Sequence, residues 1–209
     1  MNDYWEKRFQ TEGKIWGDEP SRSAVYALEL FKKNDVKSVV VPGSGYGRNT
    51  KLFSDAGMKV SGVEISETAC KMARKFDLAT RFYNDSALDM SVLAGNNDAV
   101  FCFNVLHLFR QYDRTLLINQ CVSRIKRSGV MFFTVFSEKE ESYGKGKKIE
   151  TNTFESKKGR PVHYFTEDDL KASFRKMEIL EIGEMEEAEN HGDGPHAHLL
   201  RYIYVEKNK

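Results

Sequence analysis

Three groups of residues have the types and spacing to do chemistry. The first is Val39-Val40-Val41-Pro42-Gly43-Ser44-Gly45-Tyr46-Gly47-Arg48-Asn49. Glycines at alternate positions remove side chains where a strand turns into a helix, so a ligand can approach the main chain beside a helix N-terminus. Glu64 stands 21 residues after Gly43, at the end of the next apolar run, where a carboxylate accepts hydrogen bonds from both hydroxyls of a ribose. The second group is Asn104 and His107, in the apolar setting Val105-Leu106-His107-Leu108-Phe109. His107 is a candidate base for an oxygen or nitrogen acceptor, or else a packed neutral imidazole. The third group, Glu186 to His198, holds His191, His196 and His198. His196 and His198 share one face if a strand begins there. With Glu187 or Glu189 beside them metal ligation is conceivable, but the spacing matches no standard metal motif, so no metal is assigned. The three imidazoles are read as the lining of a substrate pocket, or else as part of a polar Gly/Pro/His-rich link between two strands.

The elements that must position these groups follow from the apolar runs. Val36 to Pro42, Met58 to Ile65, Thr80 to Tyr83, Asp98 to Asn104 and Gly129 to Phe136 read as buried strands. Between them, Gly45 to Gly57, Glu67 to Asp77 (with Ser66 as N-cap) and Arg114 to Lys126 read as amphipathic helices. Apolar strands alternating with helices predict parallel pairing with both sheet faces covered. Thr166 caps a last helix, after which Glu178 to Glu184 and His198 to Val205 lack a helix between them and should pair antiparallel. The expected fold is therefore α/β: a doubly wound, Rossmann-like, seven-stranded, mostly parallel sheet ending in a C-terminal antiparallel hairpin. One domain spans 1–209. Two segments stand outside the alternation: 1–35, with Trp5 and Trp16, and the polar stretch 137–163, an insert that is either a solvated loop or a lid.

Two ligand classes share a glycine-rich turn followed by a strand-end acid: nicotinamide dinucleotides and S-adenosylmethionine (SAM). The dinucleotide pattern G-x-G-x-x-G requires glycine where Arg48 stands; here the third glycine comes one residue early. On these motifs the chain resembles the class I SAM-dependent methyltransferases, in particular the small-molecule group that includes tellurite-resistance and thiopurine methyltransferase-like proteins. The resemblance runs over essentially the whole chain, and it includes Asp98 to His107, Ile125 to Phe132, Tyr4 to Phe9 and Trp16 to Ser21. It implies SAM as cofactor, held by Gly43, Ser44, Gly45, Tyr46 and Gly47, by Glu64 and Ile65, by Asp85 and Ser86 on the adenine side, and by Asn104 and Trp16. The N-terminal segment would be an active-site cap. Many members carry an acid two residues before the first glycine; this chain has Val41, so any ordering role of that acid is absent or supplied elsewhere.

The implied activity is methyl transfer to a small molecule by in-line displacement, with His107 the candidate catalytic residue. If the insert closes over the site, Tyr143 and Tyr164 face the acceptor, and its cations, Lys145, Lys147, Lys148, Lys157, Lys158 and Arg160, favour an anionic one. A nicotinamide oxidoreductase, an RNA or protein methyltransferase, and a non-catalytic SAM- or metal-binding protein are the alternatives. Charges nearly balance, with 32 Lys+Arg against 31 Asp+Glu, so nothing calls for nucleic acid. No apolar run approaches the ~20 residues of a membrane span. Three separated cysteines, Cys70, Cys102 and Cys121, form neither a disulfide framework nor a zinc pattern. Together with a polar first segment they suit a cytoplasmic protein. Oligomeric state is open.

Overall fold

A computed structural model describes residues 2–191 and 194–208. The apolar runs become the parallel strands β1 (Ser38–Pro42), β2 (Lys59–Glu64), β3 (Arg81–Asn84), β4 (Asn97–Phe103) and β5 (Ile125–Phe136). The chain then leaves this sheet for β6 (Lys147–Glu150), β7 (Thr153–Lys157) and β8 (Arg160–His163), and returns as β9 (Glu178–His191) and β10 (Gly194–Glu206). The seven-stranded sheet has the order β3-β2-β1-β4-β5-β10-β9. Strands β1 to β5 run parallel, and β10 pairs antiparallel with both β5 and β9. The expected doubly wound sheet with a terminal antiparallel hairpin is therefore present.

Among the described residues, six α-helices flank the sheet: α1 (Asn2–Glu12), α2 (Arg22–Lys33), α3 (Arg48–Asp55), α4 (Glu67–Phe76), α5 (Gln111–Arg124) and α6 (Glu167–Ser173). Strand alternation divides the core. Val39, Val41, Ala99, Phe101 and Phe132 pack with α2 and α3 on one face, whereas Val40, Val100, Cys102, Met131 and Phe133 pack with α5 and α6 on the other. Phe53 of α3 meets Phe101 with ring centroids 5.1 Å apart; each such fully buried ring contributes about 1.5–3 kcal/mol. The side chains of Ser66 and Thr166 accept hydrogen bonds from Ala69 N and Asp169 N, and so cap α4 and α6 as their types predict. All three cysteines are free and buried. Among the described residues, no helix is long and apolar enough to cross a membrane.

Three expectations change. The insert is not a structureless loop: β6, β7 and β8 form their own antiparallel sheet. The terminal hairpin runs much further than its apolar parts, because the polar stretch read as a Gly/Pro/His-rich link continues the β9–β10 ladder, pairing His196 with Glu189 and His198 with Glu187. The N-terminal segment is not one cap. Ser21 caps α2 by accepting from Ala24 N, and Ala24, Ala27, Leu28 and Phe31 then join the sheet core, which leaves only α1 and the turn through Trp16 beside the site.

Candidate functional site

In a doubly wound sheet the crevice opens at the carboxyl ends of the strands where the order reverses, here between β1 and β4. Beyond β1, Gly43 takes φ +64°, and a Cβ there would lie 2.3 Å from Val105 Cγ2. Glycine is thus required both by the backbone and by the close approach of the loop after β4. Gly47, at φ +93°, caps α3. At the end of β2, Glu64 is nearly fully buried. One of its carboxylate oxygens accepts from Gly45 N and the other from Ser66 N, both at 2.9 Å. Burial pushes its pKa up, and the Ser66 and Gly45 amides pull against that without cancelling it.

The N-terminal aromatics close one side. The Tyr46 hydroxyl donates to Gly17 O at 2.7 Å and accepts from Trp16 N at 3.0 Å. Its ring stacks on Trp16 with an interplanar angle of 13° and meets Phe9 edge-on. Desolvation raises the phenol to about 12, so it stays a neutral donor. Arg8 lies over the Trp5 and Trp16 rings, and Arg48 over Trp16 and Phe103. The segment is tied down by Glu6, whose carboxylate accepts from Ser66 Oγ, Thr68 Oγ1 and Thr68 N at the start of α4.

Past β4, Asn104 adopts φ +53°. Its Oδ1 accepts from Thr134 Oγ1 at 2.9 Å, so its side chain is fixed by β5. His107 sits in a 3₁₀ turn, Leu106–Leu108. It is 2% exposed and lies against Phe136 at 4.2 Å between ring centroids. Burial, then the charges of Arg160, His198 and His163, push its pKa well below 6.5. Among the described residues its Nδ1 has no hydrogen-bond partner. A ring this reluctant to take a proton is a poor general base.

The hairpin supplies the opposite wall. His198 Nδ1 lies 2.7 Å from Glu140 Oε1, and Leu199 N donates to Glu140 Oε2 at 2.7 Å. His198 Nε2 stands 3.8 Å from Glu189 Oε2. Burial opposes a charge on His198, yet the Glu140 and Glu189 carboxylates raise its pKa on balance.

These groups line a single cavity of about 970 Å³. It takes in Gly43, Ser44, Gly45, Tyr46, Glu64, Ile65, Ser86, Asn104, Trp16 and His107, together with His196 and His198. Three predicted residues do not line it. Gly47 is turned toward Phe82 and Thr50, so its role is to let the helix start. The exposed Asp85 carboxylate accepts from Ser86 N. The Tyr143 hydroxyl donates to Asn152 and its ring packs on Phe154 and Tyr164. The side chain of His191 lies outside the described residues. Glu187, weighed as a metal ligand, instead accepts from Arg22 N and Ser23 N at the start of α2. Sequence reasoning did not anticipate Glu140, whose partner is 58 positions away, and no local pattern announces it. Arg160, one of the insert's cations, lies with its guanidinium over Tyr4 in the cavity wall.

Residues 39–129 match the family described as methyltransferase domain. No curated protein matches the chain. Among solved structures it resembles a protein described for the conversion of a disulfide bond into a thioacetal group during echinomycin biosynthesis, with 16% identity, TM-score 0.77, and 100% of this chain and 93% of that one covered. It also resembles the Burkholderia thailandensis 1,6-didemethyltoxoflavin-N1-methyltransferase with bound 1,6-didemethyltoxoflavin and S-adenosylhomocysteine, with 16% identity, TM-score 0.74, and 100% and 87% covered. A third is the magnesium protoporphyrin IX methyltransferase (ChlM) of Synechocystis PCC 6803 with bound SAH, with 15% identity, TM-score 0.71, and 99% of each chain covered. The fold is the Rossmann-like fold of SAM-dependent methyltransferases.

Proposed function

We propose that this chain is a SAM-dependent methyltransferase acting on a small molecule in the cytoplasm, starting from a methyltransferase domain over residues 39–129 on a fold shared with SAM-dependent enzymes. The carrying observation is that the Gly43–Tyr46 turn and the Glu64 carboxylate line one cavity, with Glu64 held to the turn through Gly45 N. The residues present fit such a cofactor. Side chains are missing where the turn meets the cavity, and both Glu64 oxygens are oriented by backbone amides while retaining lone pairs for ribose hydroxyls.

When bound, SAM supplies an electrophilic methyl group on a sulfonium. The main chain of Gly43 to Tyr46 holds its amino-acid end, Glu64 and Ile65 hold the sugar, and Ser86 stands on the base side. Trp16 and Tyr46, stacked on each other with Arg8 and Arg48 over Trp16, supply an aromatic wall on that side. Asn104, locked by Thr134, is a fixed polar wall at the meeting of cofactor and acceptor. Alignment of the two reactants in such a site is worth as much as ~7–11 kcal/mol of barrier. His107 acts by shape and as a neutral imidazole, because its burial disfavours the proton.

A small acceptor is supported by the cavity's enclosure between the N-terminal aromatics, the insert and the hairpin. The near balance of charges supports it further. The toxoflavin-precursor enzyme, similar in fold, is itself described with a small substrate bound. The test is calorimetry with SAM, S-adenosylhomocysteine and NAD, followed by labelled SAM with a pooled metabolite extract and mass identification of the product. SAM and S-adenosylhomocysteine should bind and NAD should not; failure to bind SAM rejects the assignment.

A further inference from the structure

We propose that Glu189, His196 and His198 form a binding site for a divalent first-row transition cation of the zinc type on the wall of the cavity. The residues come from the two arms of the terminal hairpin. His196 and Glu189 are paired across the ladder, and His198 follows two positions on. One ligand atom from each lies within 4.8 Å of the others. Two imidazoles and one carboxylate make a ligand set that zinc and its neighbours use when coordination positions stay open. Tetrahedral ligands at about 2.0–2.1 Å from zinc stand about 3.4 Å apart. The 3.8 Å between His198 Nε2 and Glu189 Oε2 is already close to that, and small side-chain rotations bring in the third.

An independent observation concerns the far nitrogens. His198 Nδ1 faces a Glu140 carboxylate oxygen at 2.7 Å, and His196 Nδ1 faces the Gly194 carbonyl at 2.9 Å. Both oxygens only accept, so each Nδ1 carries a proton and Nε2 is the ring atom left to bind a cation. Metal-ligating imidazoles are oriented in this way, by an oxygen acceptor on the opposite nitrogen. The local charge also favours a cation. Against burial and the opposing charge of Arg160, the Glu140 and Glu189 carboxylates raise the His198 pKa on balance, and a second guanidinium, Arg48, stands 3.8 Å from Glu189.

The open positions of such a cation would face the cavity that also receives the glycine turn. That they take an acceptor heteroatom rests on the transferase reading; metal binding itself does not. A hydroxyl or thiol coordinated there would release its proton to solvent at lower pH than when free, a task that the buried His107 is ill suited to.

The experiment uses the full chain purified without a histidine tag and stripped with chelator. Cobalt(II) is titrated in, the visible d–d bands are read, and zinc is then added in competition. One equivalent of cobalt, displaced by zinc, is expected. His196→Ala and Glu189→Gln should weaken binding at least tenfold, and Glu140→Gln by about 10–100-fold through loss of orientation. His196 is exposed, so its removal leaves the fold intact, which circular dichroism verifies. No stoichiometric binding, or binding unchanged in both His196→Ala and Glu189→Gln, overturns the proposal. SAM calorimetry on the same samples separates the two readings: SAM binding without metal binding sinks the metal site alone, and the reverse sinks the transferase alone.

Discussion

At the scale of single residues, Glu64 and His107 are both buried and titratable, yet their surroundings give them opposite tasks. Each Glu64 oxygen already accepts a backbone amide, so replacement by glutamine turns an NH₂ group toward an N–H donor. An unsatisfied buried donor costs about 1–3 kcal/mol. Glu64→Gln should therefore raise the SAM dissociation constant about tenfold or more and lower unfolding stability by a similar free energy, read by calorimetry and denaturant titration. For His107 the magnitudes discriminate between roles. A general base contributes typically 10²–10⁴-fold, whereas a neutral ring stacked on Phe136 is largely replaced by another ring. His107→Phe should keep methyl transfer within about tenfold of the parent, and the parent's rate profile should show no inflection near pH 6.5 from this group, since its pKa lies well below that value. A loss of a hundredfold or more would instead identify it as the base.

Between elements, the joint from α1 to α4 has the clearest pH signature. Glu6 is held at about 2, against an ordinary 4.5, by the hydroxyls of Thr68 and Ser66. A depressed carboxyl contributes its docking stability above the unfolded value and loses it as pH falls from about 4.5 through 2. Both tryptophans of the chain, Trp5 and Trp16, lie in this segment, so their emission reports the joint directly. It should shift to the red within that acid window, and Glu6→Gln should show part of the shift already at neutral pH with an unchanged far-ultraviolet spectrum; identical emission from variant and parent would refute the anchor. The legibility of the elements themselves was uneven, for physical reasons. Strands β1, β2, β4 and β5 are buried over most of their length and so read as apolar runs, the edge strand β3 buries only Phe82, and the caps Ser66 and Thr166 are local signals. The outer half of the β9–β10 hairpin pairs without burying apolar side chains, so hydropathy stops marking it before His191. Strands β6 to β8 are short and carry few apolar residues each, and among the described residues they form a sheet of their own. The helix α2 carries its own signals, a Ser21 cap and Ala24, Ala27, Leu28 and Phe31 at helical spacing, which the neighbouring tryptophans mask when 1–35 is read as one segment. The glycine turn and Glu64 were legible because their geometry is set within one βαβ unit; the Glu140–His198 contact was not, because it joins the turn after β5 to the last strand.

At the scale of the whole molecule, the cavity is a composite. The sheet offers its carboxyl edge, the N-terminal segment covers the glycine turn, and the insert and hairpin wall the other side. From the insert Lys145, Lys157 and Arg160 reach the lining, but Glu140, Glu141 and Glu189 line it as well, so the surplus of insert lysines does not make a cationic pocket. What the insert contributes is shape, through Val162 and Tyr164, which pack with Leu108 and Phe136. Its small sheet is joined to the body by the Glu150 carboxylate, which accepts from Gln111 N and pairs with Arg114, and none of the residues that would hold SAM lies within 144–158. Replacing residues 144–158 with a flexible linker should therefore separate the two ligands. The SAM constant should stay near that of the parent, while the Michaelis constant for the acceptor should rise about tenfold, equivalent to about 1.4 kcal/mol of lost contact. Raising salt should change the parent's acceptor constant little, because the opposed charges that line the pocket largely cancel at range. Equal losses for both ligands would mean that the insert supports the fold rather than the acceptor wall, and no loss for either would reduce it to a solvated appendage.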